Sequence, residues 1–222
     1  MGEHVVIFDC NGVLVDSESI AARVAAEEFT RAGFAMTPDV VARFFTGRRA
    51  VDMFAAVEAA TRRKLPPNFG SAVASATLRR FRAELQAMPH VSYALSWVRG
   101  PKCVASSSSL DRIRVSLEAT GLLRFFEPNL FSANDVPRGK PAPDLFLHAA
   151  AKMRVAPKDC IVVEDSAVGV AAATAAGMTS IGYVGGSHAG SKLPAQLTAA
   201  GAKAVIADMR ALKATIVALR GW

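Results

Sequence analysis

From Pro89 onward, short apolar runs of strand length alternate with amphipathic stretches of helix length, and few folds accommodate that alternation. Cys103-Val104-Ala105, Leu130-Phe131, Ile161-Val162-Val163, Ser180 to Val184 and Ala204-Val205-Ile206 read as strands. Leu110 to Ala119, Asp144 to Met153, Ser166 to Ala176 and a final Ala-rich stretch read as helices, and Val91 to Val98 is also helical. Such a succession predicts an α/β fold with a doubly wound parallel sheet. A further strand, Val5 to Phe8, opens the chain as a fully apolar run that stops at the carboxylate Asp9. Between this strand and Pro89 the pattern is almost wholly helical. Ser17 can cap a helix ending near Gly33, Pro38 opens a second that is interrupted at Gly47, a third runs from Val51 to about Arg62, and a fourth from about Ser71 to Leu85. The expected organisation is a sheet-bearing core from residues 1–16 and 87–222, with residues 17–86 inserted as a four-helix domain.

The bulk properties narrow the classes of function. A chain of 222 residues with 51% hydrophobic content can bury a substantial core. No apolar run approaches the roughly 20 residues that span a bilayer, and the first residues lack the basic-then-apolar layout of a signal peptide, so a cytoplasmic protein with no membrane partner is expected. The three cysteines, Cys10, Cys103 and Cys160, are far apart and beside apolar segments, and read as small buried hydrophobes. No Cys-x-x-Cys spacing suggests zinc. A net charge of +7 favours anionic partners. The basic residues come in short clusters, Arg48-Arg49, Arg62-Arg63-Lys64 and Arg79-Arg80, and there are two Tyr and two Trp, which argues against nucleic acid. A small phosphorylated metabolite suits the charge, on a monomer or homodimer.

In an open parallel sheet, ligands bind at the carboxyl ends of the strands, beside the point where strand order reverses. Asp9, Ser106 and the pair Glu164-Asp165 all follow predicted strands, and Lys140 lies in a loop on the same edge. Clustered carboxylates supply the hard oxygen ligands that Mg²⁺ prefers. Ser106 and the backbone N–H groups of a helix start suit phosphate oxygens, and Lys140 adds positive charge. A carboxylate in such a cluster can also attack phosphorus. Taken singly, each residue reads as well as a turn, a loop, a surface lysine or a helix cap. On one edge and in this order, they point to a site.

The motifs FDCNGVLVDSE at Asp9, VASSSS at Ser106, GKPAPDLF at Lys140 and VVEDSAVG at Glu164 and Asp165 resemble those of the haloacid dehalogenase superfamily of phosphohydrolases. The likeness is to the branch with a helical cap after the first strand, which includes phosphoglycolate phosphatase, sugar-phosphate phosphatases and β-phosphoglucomutase. The resemblance implies a Rossmannoid core and a Mg²⁺-dependent phosphatase of a sugar phosphate or phosphorylated carboxylic acid. By it, Asp9 is the nucleophile, Ser106 and Lys140 bind the transferring phosphoryl group with Ser107 beside them, and Asp9, Asp165, Glu164 and the main-chain carbonyl of Asn11 surround Mg²⁺. It also directs attention to Gly47, Arg48 and Arg49 in the cap as substrate contacts.

One position departs from the family motif. The family has a second Asp where this chain has Asn11, and that Asp acts as general acid and base. An amide does neither, so the chain is expected to be an inactivated variant that keeps metal and substrate binding. The alternatives are a phosphomutase, which Ala21 in place of the mutase's cap histidine disfavours, and a catalytically silent phosphometabolite-binding protein. His188 in GGSHAG is expected to be a flexible rim residue.

Overall fold

The computed structural model describes residues 4–45, 47–98 and 100–220. Six parallel strands form one sheet in the order β3-β2-β1-β4-β5-β6. They are β1 (Val5–Phe8), β2 (Lys102–Ser106), β3 (Leu130–Ser132), β4 (Cys160–Glu164), β5 (Thr179–Tyr183) and β6 (Ala204–Ile206). Because β1 is flanked by β2 on one side and β4 on the other, strand order reverses between β1 and β4, and a crevice opens beyond their carboxyl ends.

Alternation along β1 explains the double winding. Val6 and Phe8 point into one buried cluster with α5 (Val91–Trp97), α6 (Leu110–Ala119) and α10 (Leu212–Arg220). Val5 and Ile7 point into the other, against α7 (Asp144–Lys152) and α8 (Ala167–Ala175). Cys10, Cys103 and Cys160 are fully buried in these layers, as expected. An eight-residue helix missed in the sequence, α9 (Leu193–Ala200), lies between β5 and β6 and buries Leu197.

The predicted insert is present as α1 (Glu18–Arg31), α2 (Pro38–Phe45), α3 (Ala50–Thr61) and α4 (Phe69–Glu84). It has its own apolar cluster around Phe29, whose ring lies 4.7 Å from that of Phe69, with Phe54 5.2 Å from Phe69. Arg80 ties α4 to α1 through Glu27 at 3.4 Å, so part of the basic surface is the solvated, ion-paired helix face that its spacing suggests. The insert joins the sheet through two adjacent strands of backbone, where Asp16 N–H donates to the Gln86 carbonyl at 2.9 Å and Val15 bridges Ala87. Among the described residues no helix is long and apolar enough to cross a membrane.

Candidate active site

The pairing of β1 with β4 sets Phe8 beside Val163, and the Asp9 N–H donates to the Val163 carbonyl at 3.0 Å. The chain therefore leaves both strands at the same level, which delivers Asp9, Glu164 and Asp165 to one spot. Oxygens of the three buried carboxylates lie within 4.8 Å of one another. Lys140, from the loop before α7, reaches under them: its Nζ donates to Asp9 Oδ1 at 2.7 Å and also to Glu164 Oε1. Glu164 is further held by the N–H and hydroxyl of Ser166, at 2.8 and 2.9 Å. The turn after Asp9 requires a glycine, because Gly12 has φ +72° and a Cβ there would lie 1.8 Å from Asp165 Oδ2.

Burial sets the electrostatics. It pushes the Asp9 carboxyl well above the usual carboxylate range; Lys140 pulls it back, and Glu164 and Asp165 add to the rise. Burial likewise pushes Asp165 up to about 7, with His188 opposing it. For Lys140 burial works toward neutrality, but Asp9 and Glu164 outweigh it and hold the ammonium above its ordinary value. Asp9 and Glu164 thus share the Lys140 ammonium, and Asp165 faces His188.

Above them lies a cavity of about 330 Å³ between the sheet and the insert. Asp9, Asn11, Asp165 and Ser107 line it from the sheet side, and Gly47, Arg48 and Arg49 from the insert. The insert is closed on the sheet. The Ser107 hydroxyl donates to the Gly47 carbonyl at 2.8 Å, and a Cβ on Gly47 would lie 2.6 Å from Ser166 Oγ. Ser106 is fully buried at the end of β2, where its hydroxyl accepts from the Ser108 N–H at 3.3 Å. Lys140 and Glu164 stand behind Asp9 in the site floor.

Several side chains behave differently from the sequence reading. The Ser17 hydroxyl makes no helix cap; it donates to Asn11 Oδ1 at 3.1 Å, while Asn11 Nδ2 donates to Ser108 Oγ at 2.9 Å. Arg49 grips Asp52 with two hydrogen bonds of 2.9 and 3.0 Å, so its fork is engaged within the insert. His188 is not a free rim residue: its Nε2 lies 2.9 Å from Asp165 Oδ2, and its side chain is largely buried. Two residues that sequence reasoning missed also face the cavity, Glu18 at the start of α1 and Arg112 in the first turn of α6. Glu18 carried a signal, since it is the last residue of the opening motif FDCNGVLVDSE; Arg112 sits in DRIRVS, which reads as an ordinary solvated helix start.

The donor set fits a divalent cation. Asp9, Glu164 and Asp165 offer hard oxygens within 4.8 Å of one another, with more negative charge than Lys140 offsets. The likeness to known proteins agrees with this arrangement. A solved conserved haloacid dehalogenase-like protein of unknown function from Agrobacterium tumefaciens superposes with a TM-score of 0.82 at 38% identity, over 98% of this chain and 99% of that one. The chain is 34% identical over 176 residues to 6-phosphogluconate phosphatase of Escherichia coli, spanning 79% of this chain and 80% of that protein. It is 30% identical over 184 residues to a phosphorylated carbohydrates phosphatase of Thermotoga maritima, spanning 80% and 83%. Residues 4–177 match the haloacid dehalogenase-like hydrolase family, and the chain belongs to it.

Proposed function

We propose that this chain is built as a Mg²⁺-dependent phosphatase of a small phosphorylated sugar or sugar acid, and that Asn11 impairs its turnover. The observation that carries the reading is the buried cluster of Asp9, Glu164 and Asp165 around Lys140, opening onto a closed cavity of metabolite size. Relatives named for phosphorylated carbohydrates support the substrate class. Asp9, Glu164, Asp165 and the Asn11 main-chain carbonyl would hold Mg²⁺, which when bound polarises phosphoryl oxygens and offsets the negative charge of substrate and carboxylates.

In the reaction, an Asp9 carboxylate oxygen forms a bond to phosphorus as the ester P–O bond breaks, and the bonding pair leaves on the sugar oxygen. Lys140 opposes the protonation of Asp9 that burial favours and holds it in place, Ser107 at the cavity wall orients the phosphoryl group, and Ser106 behind it fixes the turn through the Ser108 N–H. The departing oxygen takes up a proton. Water then attacks the aspartyl-phosphate at phosphorus, gives up a proton, and restores the Asp9 carboxylate. Both protons would pass through residue 11. The Asn11 amide carries none to exchange, and its two ends are already committed to Ser17 and Ser108. The insert must open to admit substrate, pivoting where residues 16–17 and 86–87 run side by side. Ala21 lines the cavity and offers no proton donor, which disfavours a mutase. The doubly anchored Asn11 favours, as a second reading, a phosphometabolite-binding protein without turnover.

The test is a phosphate-release screen of the Asn11→Asp form with Mg²⁺ across sugar phosphates and phosphorylated acids. Release from at least one supports the phosphatase; release from none supports the silent binder. Metal binding has its own check. A Cβ on Gly169 would lie 1.8 Å from Glu164 Oε1, so Gly169→Ala is expected to displace Glu164 and weaken Mg²⁺ binding about tenfold or more by calorimetry. Unchanged affinity would remove Glu164 from the metal site.

A further inference from the structure

On the sheet side the cavity has an arginine that phosphoryl transfer leaves unused. Arg112 stands in the first turn of α6 with its guanidinium 4.8 Å from the centre of the Phe81 ring of α4. It lines the cavity shared with Asp9 and Glu18. Its Nε is shielded from solvent and has no hydrogen-bond partner, and none of the described carboxylates forms an ion pair with it. Arg49, by contrast, is satisfied by Asp52. The guanidinium has the Phe81 ring beside it and feels Glu18 and Asp9 only at a distance, with no hydrogen bond between them, and its rigid fork of donors matches a planar carboxylate bidentately. The cavity wall beside it carries Glu18 and the hydroxyls of Thr77 and Ser109, groups suited to sugar hydroxyls.

We infer that Arg112 binds a carboxylate at the end of the substrate remote from the phosphoryl group, so that the site selects phosphorylated sugar acids over their neutral counterparts. A second phosphoryl group suits the position less well, because its two charges would meet Glu18 within the same small cavity, whereas a carboxylate brings the single charge that one guanidinium balances. The inference rests on the phosphatase reading for the location of the scissile phosphate.

The experiment measures binding to the chain as it stands, by calorimetry with Mg²⁺, of a hexonic acid 6-phosphate and the matching hexitol 6-phosphate, which differ only in a terminal carboxylate or hydroxymethyl group. The acid is expected to bind about 30-fold more tightly. Arg112→Gln is expected to abolish that preference by weakening the acid alone, with little change in the unfolding midpoint, because no ion pair of the folded chain is lost. Arg112→Lys, which keeps the charge but not the fork, is expected to retain only part of the preference. Equal affinities in the parent chain, or an equal loss for both ligands in the variants, would overturn the inference. The two readings separate in the Asn11→Asp background. Phosphate release from both compounds with equal kcat/KM would leave the phosphatase and remove the carboxylate site. No release from either, with an Arg112-dependent preference in binding, would leave the carboxylate site and remove the phosphatase.

Discussion

Replacing Asn11 by Asp is expected to raise Mg²⁺-dependent phosphate release by about a hundred- to ten-thousand-fold, the usual contribution of one positioned general acid and base. If residue 11 handles protons while Asp9, Lys140 and the cavity walls hold the substrate, as proposed above, the gain should fall on kcat, with KM changing little. The surroundings are ready for the exchange. Asp and Asn have nearly the same shape, and the Ser17 hydroxyl that now donates to Asn11 Oδ1 can donate to a carboxylate oxygen in the same place. On the other side the Ser108 hydroxyl, which now accepts from Nδ2, can rotate to donate or accept from a protonated carboxyl. Steady-state assays of the two forms on one substrate give the ratio; no gain would mean that residue 11 is not the missing proton carrier.

Loss of Lys140 is expected to have the second largest effect. Its ammonium joins Asp9 to Glu164 at the floor of the site, and Lys140→Met would leave these two buried carboxylates with no cation between them. In metal-free buffer this should cost about 3 kcal/mol of stability, since breaking a buried ion pair from one side strands the remaining charge. Mg²⁺ should return part of that loss, because a cation bound only by the folded chain stabilises it by mass action and here also replaces the missing positive charge. Urea unfolding with EDTA and with Mg²⁺ separates the two contributions. A loss that is the same under both conditions would show that the metal does not share this charge cluster. In the Asn11→Asp background the same substitution should lower kcat/KM by at least about a hundredfold.

How much of this could be read from the sequence depends on the range of each interaction. The strand Val5–Phe8, its end at Asp9 and the four inserted helices were legible because apolar periodicity and proline or glycine breaks are local signals. The helix Leu193–Ala200 was missed because it is short, follows a glycine-rich loop and buries a single leucine, so its periodicity is faint. The convergence of Asp9 and Asp165 followed from strand ends and that of Lys140 from a loop on the same edge, but what surrounds them did not. Burial of Arg112 depends on Phe81 from a distant helix, and the position of His188 against Asp165 depends on how the loop after β5 folds back. The engagement of Arg49 was available from spacing, since Asp52 lies three residues on, the reach of a helical ion pair. Ser17 was a plausible cap by position, and only the three-dimensional turn at Gly12 brings its hydroxyl to Asn11 instead.

The central claim is that Asp9 accepts the phosphoryl group and that Asn11 blocks only the proton transfers around that step. Incubating the chain with Mg²⁺ and an acyl or aryl phosphate, whose leaving oxygen needs no protonation, isolates Asp9 from the defect. Intact-protein mass spectrometry, with the site mapped by borohydride reduction of the acyl phosphate, is expected to find one added phosphoryl group on Asp9 that persists in this chain and turns over rapidly in the Asn11→Asp form. A chain that gains no phosphoryl group in either form, or that carries it on another residue such as Ser106, would contradict the account.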